Sequence, residues 1–208
     1  MRKILFIRCW ALAGVGLYSC SLDEPSYGKT TSDNYYQKES DIEQALTGAY
    51  LQLRTTWNEY ALNHYFVGDC STDDALKGGG NDGDRAEVRD LSDFTIYTTN
   101  GRRWEILYRL INRCNDVIYY APDAIGNEEL LKRYANEAKA LRAFGYYCLV
   151  TTFGEVPLIT TPMQPAEILQ IPRSPLEKVY ECIVNDLTDA SALPAKGDYS
   201  EDDAYRAT

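Results

Sequence analysis

Apolar side chains recur three and four residues apart along most of this chain, and that spacing confines the segments to helices, because a half-buried strand would need strict alternation. The first such stretch begins at Asp41, with Ser40 or Asp41 as its N-cap, and places Ile42, Ala45, Leu46, Ala49, Tyr50 and Leu53 on one face. A second starts near Arg103 and carries Trp104, Leu107, Tyr108, Ile111, Cys114, Asn115 and Ile118 before Ala121-Pro122 stops it. A third, over residues 127–152, presents Leu130, Leu131, Tyr134, Ala138, Leu141, Phe144, Gly145 and Cys148 and ends at Phe153-Gly154. The fourth opens at Ser174-Pro175, a capping residue followed by proline in the first turn, and runs through Val179, Ile183 and Leu187 to Leu193-Pro194. The predicted fold class is all-α.

The second and fourth helices are self-similar at an offset of 72 residues, pairing Trp104 with Leu176, Tyr108 with Tyr180, Ile111 with Ile183 and Pro122 with Pro194. Amphipathic helices that repeat in this way bury their faces by stacking as hairpins, which is the tetratricopeptide-like solution; its regular repeat of about 34 residues is here stretched by insertions. Cys114, Cys148 and Cys182 also lie 34 residues apart, but on helices that do not correspond, so that spacing is coincidental. The longest insertion, residues 60–103, contains Gly78-Gly79-Gly80 and Asn81-Asp82-Gly83-Asp84 as turn chemistry and reads as a loop.

Ahead of the helices stands an export signal. Met1-Arg2-Lys3 is basic, and Ile4 to Tyr18 is apolar except for Arg8, too short for a membrane-spanning helix of about 20 residues. The run closes on Leu17-Tyr18-Ser19-Cys20, which resembles a lipobox: a leucine three residues before a cysteine, a small residue just before it, and a thiol to carry the lipid. Tyr18 is bulkier than is usual at its position. The other reading of the segment is an ordinary cleaved signal with a chance cysteine. Ser21-Leu22-Asp23-Glu24 follows and looks like a surface-export signal, with Asp23 and Glu24 as its acidic end. The expected organisation is therefore a signal peptide over 1–19, a lipidated tether over 20–40 and a helical domain over 41–208.

The formal net charge is −10, and cleavage after Ser19 removes Arg2, Lys3 and Arg8 to leave −13. Nucleic acid is an unsuitable partner for such a chain, since phosphate recognition needs a stripe of lysine and arginine. With His64 as the only histidine and no Cys-x-x-Cys pair, a zinc site has almost nothing to build on. Asn81-Asp82-Gly83-Asp84 lacks the alternating ligands and terminal glutamate of a calcium-binding loop. No nucleophile elbow or phosphate-binding glycine motif occurs, and Asp69, Asp73 and Asp74 read as solvated loop acids rather than a catalytic pair. Neither a catalytic residue nor a cofactor is expected. An exported protein can oxidise Cys70, Cys114, Cys148 and Cys182, yet the last three sit among apolar residues at helical spacing, where a cysteine serves as a small buried hydrophobe.

Several segments together resemble the SusD/RagB family: Tyr36, the helix with Ala45, Gly48 and Tyr50, Asp73-Asp74-Ala75, and Trp104, Tyr108, Asn112 and Cys114-Asn115. The clearest is Glu137-Ala138-Lys139-Ala140-Leu141-Arg142-Ala143-Phe144-Gly145-Tyr146-Tyr147, followed by Phe153-Gly154-Glu155-Val156-Pro157-Leu158, Arg173-Ser174-Pro175 and Asp186-Leu187. The resemblance implies a surface lipoprotein of the bacterial outer membrane, built on tetratricopeptide-like repeats, that binds glycan and passes it to a SusC-like TonB-dependent transporter. It also implies a truncated domain, since family members are more than twice as long. In the family the loop before the second helix contributes an aromatic to the glycan site; the matching residues here are Phe94 and Tyr97, with Lys77 and Asn100 as polar candidates, although Phe94 also fits a core plug under the loop. Trp104, Tyr108 and Tyr146 read as core, and Asn115 as a group that satisfies buried backbone. The competing reading is a tetratricopeptide-like scaffold that binds protein and has no glycan site of its own.

Overall fold

The computed structural model describes residues 35–76, 78–81, 83–84, 89, 93, 100–199, 203 and 205–208, all within one unit spanning Ser32–Thr208. Its elements are α1 (Glu39–Gly68), α2 (Asn100–Tyr120), a 3-10 turn (Ala121–Asp123), α3 (Glu128–Phe153), the one-turn α4 (Pro165–Ile168) and α5 (Leu176–Ala190). No strand occurs among the described residues; extended backbone meets only in two isolated bridges, Lys38 with Ile125 and Val156 with Ser174.

The helix termini follow from local chemistry. The Asn127 side chain accepts hydrogen bonds from the Glu129 and Leu130 backbone N–H groups at 2.9 and 3.3 Å, capping the otherwise unpaired donors of α3. Gly154 ends the same helix at φ 71°, a conformation that favours glycine, and its N–H donates to the Val150 carbonyl. The entry to α1 differs from expectation. The helix starts at Glu39, and Asp41 lies inside its first turn, where its carboxylate accepts from the Gln37 and Lys38 N–H groups at 3.2 and 3.0 Å. The tether expected over 20–40 is thus already attached to the body at its last residues. Tyr36 stacks on Tyr120 with ring centroids 4.4 Å apart, and its left-handed backbone, φ 60°, is held by that packing.

Two apolar clusters share α2 and α3. In the first, Ile42, Leu46 and Ala49 of α1 meet Leu110, Cys114 and Val117 of α2 and Leu131, Tyr134, Ala138 and Leu141 of α3. In the second, Leu107 and Ile111 of α2 meet Ala143, Tyr146 and Leu149 of α3 and Val179 and Ile183 of α5. The outcome is two stacked helical hairpins, α1–α2 and α3–α5, with α3 covering α2. Gly145 lets those two helices close together: a Cβ there would stand 3.0 Å from Ile111 Cγ1. Full burial of one such leucine or isoleucine contributes about 1.5–3 kcal/mol.

Three sequence expectations need correction. Residues 60–68 belong to α1 rather than to a loop, so the insertion between helices begins at Asp69. Ser174 does not cap α5; its N–H donates to the Val156 carbonyl at 2.9 Å, and Pro175 takes the cap position without a side-chain hydrogen bond. Leu187 faces out, 50% exposed, because Asp186 occupies the inward position beside it. Cys70, Cys114, Cys148 and Cys182 form no disulfide among the described residues. Burial raises the pKa of Cys114, and burial together with the nearby Asp186 charge pushes Cys182 up to about 11.

Candidate functional site

Trp104, Tyr108 and Asn112 fall at successive fourth positions of α2 and so share one face of its N-terminal half. The segment that follows Gly154 is pinned across this face by side chains from two helices. Tyr108 donates its hydroxyl to the Pro157 carbonyl at 2.6 Å, and Asn115 donates from Nδ2 to the Ile159 carbonyl at 2.9 Å. The Tyr146 hydroxyl both donates to the Ile159 carbonyl and accepts from the Ile159 N–H, each at 2.7 Å. Between helix and segment remains a cleft of about 340 Å³, walled by Trp104, Tyr108, Pro157, Met163 and Ile168, with Asn112 among its polar groups.

The Trp104 ring is fixed from behind by the edge of Phe153, 5.1 Å away at 82°, and by Tyr108 at 4.9 Å. Burial raises the Tyr108 and Tyr146 pKa values, so both hydroxyls remain protonated and committed to backbone. None of the described residues lining the cleft carries a carboxylate, thiol, imidazole or amine. The described lining can therefore hold the apolar face of a ligand and hydrogen-bond its polar edge through the Asn112 amide.

A buried ionic network stands behind the cleft. Arg142 of α3 and Asp186 of α5 form a two-pronged pair, Nε to Oδ2 at 2.8 Å and Nη2 to Oδ1 at 2.7 Å. The remaining guanidinium nitrogen donates to Asn115 Oδ1 and the Thr160 carbonyl at 2.9 and 3.0 Å. Burial alone would lower the Arg142 pKa, yet the hydrogen bonds and charge of Asp186 outweigh it and leave the value raised. A second network centres on Glu137, fully buried, which accepts from the Tyr50 hydroxyl at 2.8 Å and pairs with Arg206 at 3.3 Å.

Lys77, Phe94 and Tyr97 lie outside the described residues, as do Cys20, Asp23 and Glu24. Asn100 is the first residue of α2, one helical turn (about 6 Å) ahead of Trp104. Of the three aromatics read as core, Tyr146 is fully buried, whereas Trp104 and Tyr108 are only partly so and face the cleft. Asn115 does satisfy buried backbone, at Ile159. The ionic networks were missed, although an arginine and a glutamate on an otherwise apolar helix face signal that each needs a buried partner.

A SusD-like family model, described as starch-binding and associating with the outer membrane, matches residues 21–208. The chain belongs to the SusD-like family. SusD-like protein P2 of Formosa agariphila is 30% identical to it, over 86% of this chain and 38% of that protein. Among solved structures, a laminarin-binding SusD-like protein superposes with a TM-score of 0.68 at 30% identity, covering 82% of this chain and 37% of that one. Surface glycan-binding protein A from Bacteroides fluxus gives a TM-score of 0.62 at 30% identity, over 75% and 33% of the two chains. The SusD-like chain thus spans less than two fifths of the length of these relatives. Its all-α, tetratricopeptide-like fold is the family's, and the Glu137-to-Tyr147 motif that carries the resemblance supplies both buried networks.

Proposed function

We propose that this SusD-like protein is a surface-exposed glycan-binding lipoprotein, anchored in the outer membrane through Cys20, that captures neutral oligo- or polysaccharide and delivers it to a TonB-dependent transporter. The observation that carries the reading is the family match over residues 21–208, joined by 30% identity to a laminarin-binding relative. The local geometry agrees with it. Sugar rings are bound by aromatic faces and by amides that reach their hydroxyls. Phe94 and Tyr97 precede Asn100, the first residue of α2, in the sequence, and Trp104 of that helix lines the cleft. Among the described lining residues the only titratable group is the Tyr108 hydroxyl, which is held by the Pro157 carbonyl, so they favour binding over proton transfer. In this reading Asp23 and Glu24 direct the lipoprotein to the cell exterior.

Isothermal calorimetry of the protein against laminarin, soluble starch and other neutral polysaccharides tests the proposal, with reducing ends assayed in the same mixtures. Saturable heat with at least one glycan and no new reducing ends is the expected result. New reducing ends would favour a hydrolase. Absence of heat with every glycan, alongside binding to the transporter, would favour a protein-binding scaffold.

A further inference from the structure

Four tyrosine rings form a continuous file at the end of the fold where the chain enters it. Tyr35 meets Tyr36 edge-on with ring centroids 4.6 Å apart, Tyr36 stacks on Tyr120 at 4.4 Å, and Tyr119 meets Tyr120 edge-on at 5.0 Å. Ile125, in the turn between α2 and α3, belongs to the same end: its N–H donates to the Gln37 carbonyl at 2.9 Å and its carbonyl accepts from the Glu39 N–H at 3.0 Å. The inner rings, Tyr36 and Tyr120, pack on the first apolar cluster, whereas Tyr119 is 55% exposed and Ile125 78%. Single exposed apolar residues are ordinary on a protein surface. These two are set apart by where the chain comes from.

Tyr35 is the fifteenth residue after Cys20. A stretch of that length spans about 50 Å fully extended and about 20 Å as a random coil. A lipid on Cys20 therefore holds this end of the fold near the bilayer at a high effective concentration, so that a weak contact becomes populated. The carboxylates beside the rings are turned into the fold. Asp116 accepts from the Tyr36 hydroxyl at 3.3 Å, Asp41 from the Gln37 and Lys38 N–H groups at 3.2 and 3.0 Å, and Glu39 from the Asn127 N–H at 2.7 Å. Lys38 and Asp123, both exposed, leave one charge of each sign beside Ile125. An acidic chain gains nothing from anionic lipid, so a contact here must be made by apolar and aromatic groups.

We propose that Tyr119 and Ile125, with Tyr35 beside them, form a contact surface for the lipid–water interface, on which the domain rests when it is anchored through Cys20. The proposal rests on the reading of Cys20 as the lipid anchor. A tyrosine joins an apolar ring to a polar tip and so suits the headgroup level, and Ile125 enters the boundary of the acyl chains. The orientation that results serves glycan capture. Trp104, in the wall of the cleft, lies about 22 Å along α2 from Tyr119, so a domain resting on this surface carries the cleft at the end of α2 away from the bilayer.

The test uses the full chain, purified with its acyl chains and reconstituted without the transporter into phosphatidylcholine vesicles whose acyl chains are brominated to quench tryptophan. Flotation with the vesicles reads the anchor, with Cys20→Ala as the control that stays in solution. A tryptophan is placed on the surface by Tyr119→Trp or away from it by Tyr180→Trp on α5, where the parent tyrosine is 43% exposed. An effective concentration in the millimolar range makes a millimolar-strength contact about half occupied, so about half of the emission that Tyr119→Trp adds to the parent should be quenched. The emission added by Tyr180→Trp should be unquenched, and Ile125→Ser combined with Tyr119→Trp should restore most of the lost signal. Equal quenching of the two tryptophan variants on vesicles that carry the protein overturns the contact surface and leaves the anchor standing. Quenching of Tyr119→Trp that is unchanged by Ile125→Ser also overturns it, as does a signal that responds only when the transporter is added, which would make the surface a transporter contact. Failure of the parent to float would remove the anchor, and the contact surface with it.

Discussion

Arg142 and Asp186 hold α3 and α5 together through two parallel hydrogen bonds of 2.8 and 2.7 Å between side chains that are 7% and 6% exposed. Taking both ions out of water is costly, and only the matched geometry together with the further bonds to Asn115 and Thr160 offsets it. Removal of one partner leaves the other charge buried and alone. Arg142→Met should therefore cost about 3–5 kcal/mol. Arg142→Lys should recover part of that cost, since an ammonium keeps the charge but not the planar fork. The double change Arg142→Met with Asp186→Leu should be less harmful than Arg142→Met alone. Urea denaturation measures all three, and a midpoint unmoved by Arg142→Met would refute the assignment.

Asp116 titrates in the opposite sense from a carboxylate in an open salt bridge. Burial raises its pKa, only partly offset by the hydrogen bond it accepts from Tyr36 at 3.3 Å. The folded chain thus holds this proton more tightly than the unfolded chain, whose aspartates titrate near about 3.9. Between the two values the folded state binds more protons, so the contribution of Asp116 is greatest at low pH and falls as pH rises through the raised pKa. The stability of the parent minus that of Asp116→Asn should accordingly decrease from acid toward neutral pH. A difference that rises over that range would mean a depressed pKa.

The lipid anchor is open to a separate check. Cys20→Ala should release the protein from membranes and abolish incorporation of labelled fatty acid. Changing Asp23 and Glu24 together to alanine should leave it lipidated but protected from protease applied to intact cells. Label entering Cys20→Ala would place the anchor elsewhere, and equal shaving of both proteins would remove the export role from the acidic pair.

Helix faces were legible because a period of 3.6 residues is set by backbone geometry, and the stripes through Leu46, Leu107, Leu141 and Ile183 are buried as that period requires. What periodicity could not show was polarity turned inward. On α5 the buried line runs through Val179, Ile183, Asp186 and Ala190, because Arg142 draws the carboxylate into the interior, and Leu187 is displaced to the surface. Ser174 misled for a similar reason: its N–H is taken by Val156 from a distant segment, a tertiary contact that local capping rules do not contain. The cleft was only half visible. Trp104 and Tyr108 read as core from their helix face, and they are partly buried, but the wall opposite is made by Met163 and Ile168, which no helical stripe connects to them. The order of the family motifs was readable without any of this.

The glycan site itself is tested by calorimetry of Phe94→Ala and Tyr97→Ala beside the parent, with the polysaccharide that binds it best. A sugar ring stacked on one aromatic contributes on the order of 1 kcal/mol, so each change should weaken binding about fivefold while the helical circular-dichroism signal remains that of the parent. Parental affinity in both variants would contradict a site before α2, and loss of helical signal would assign Phe94 and Tyr97 to the core instead.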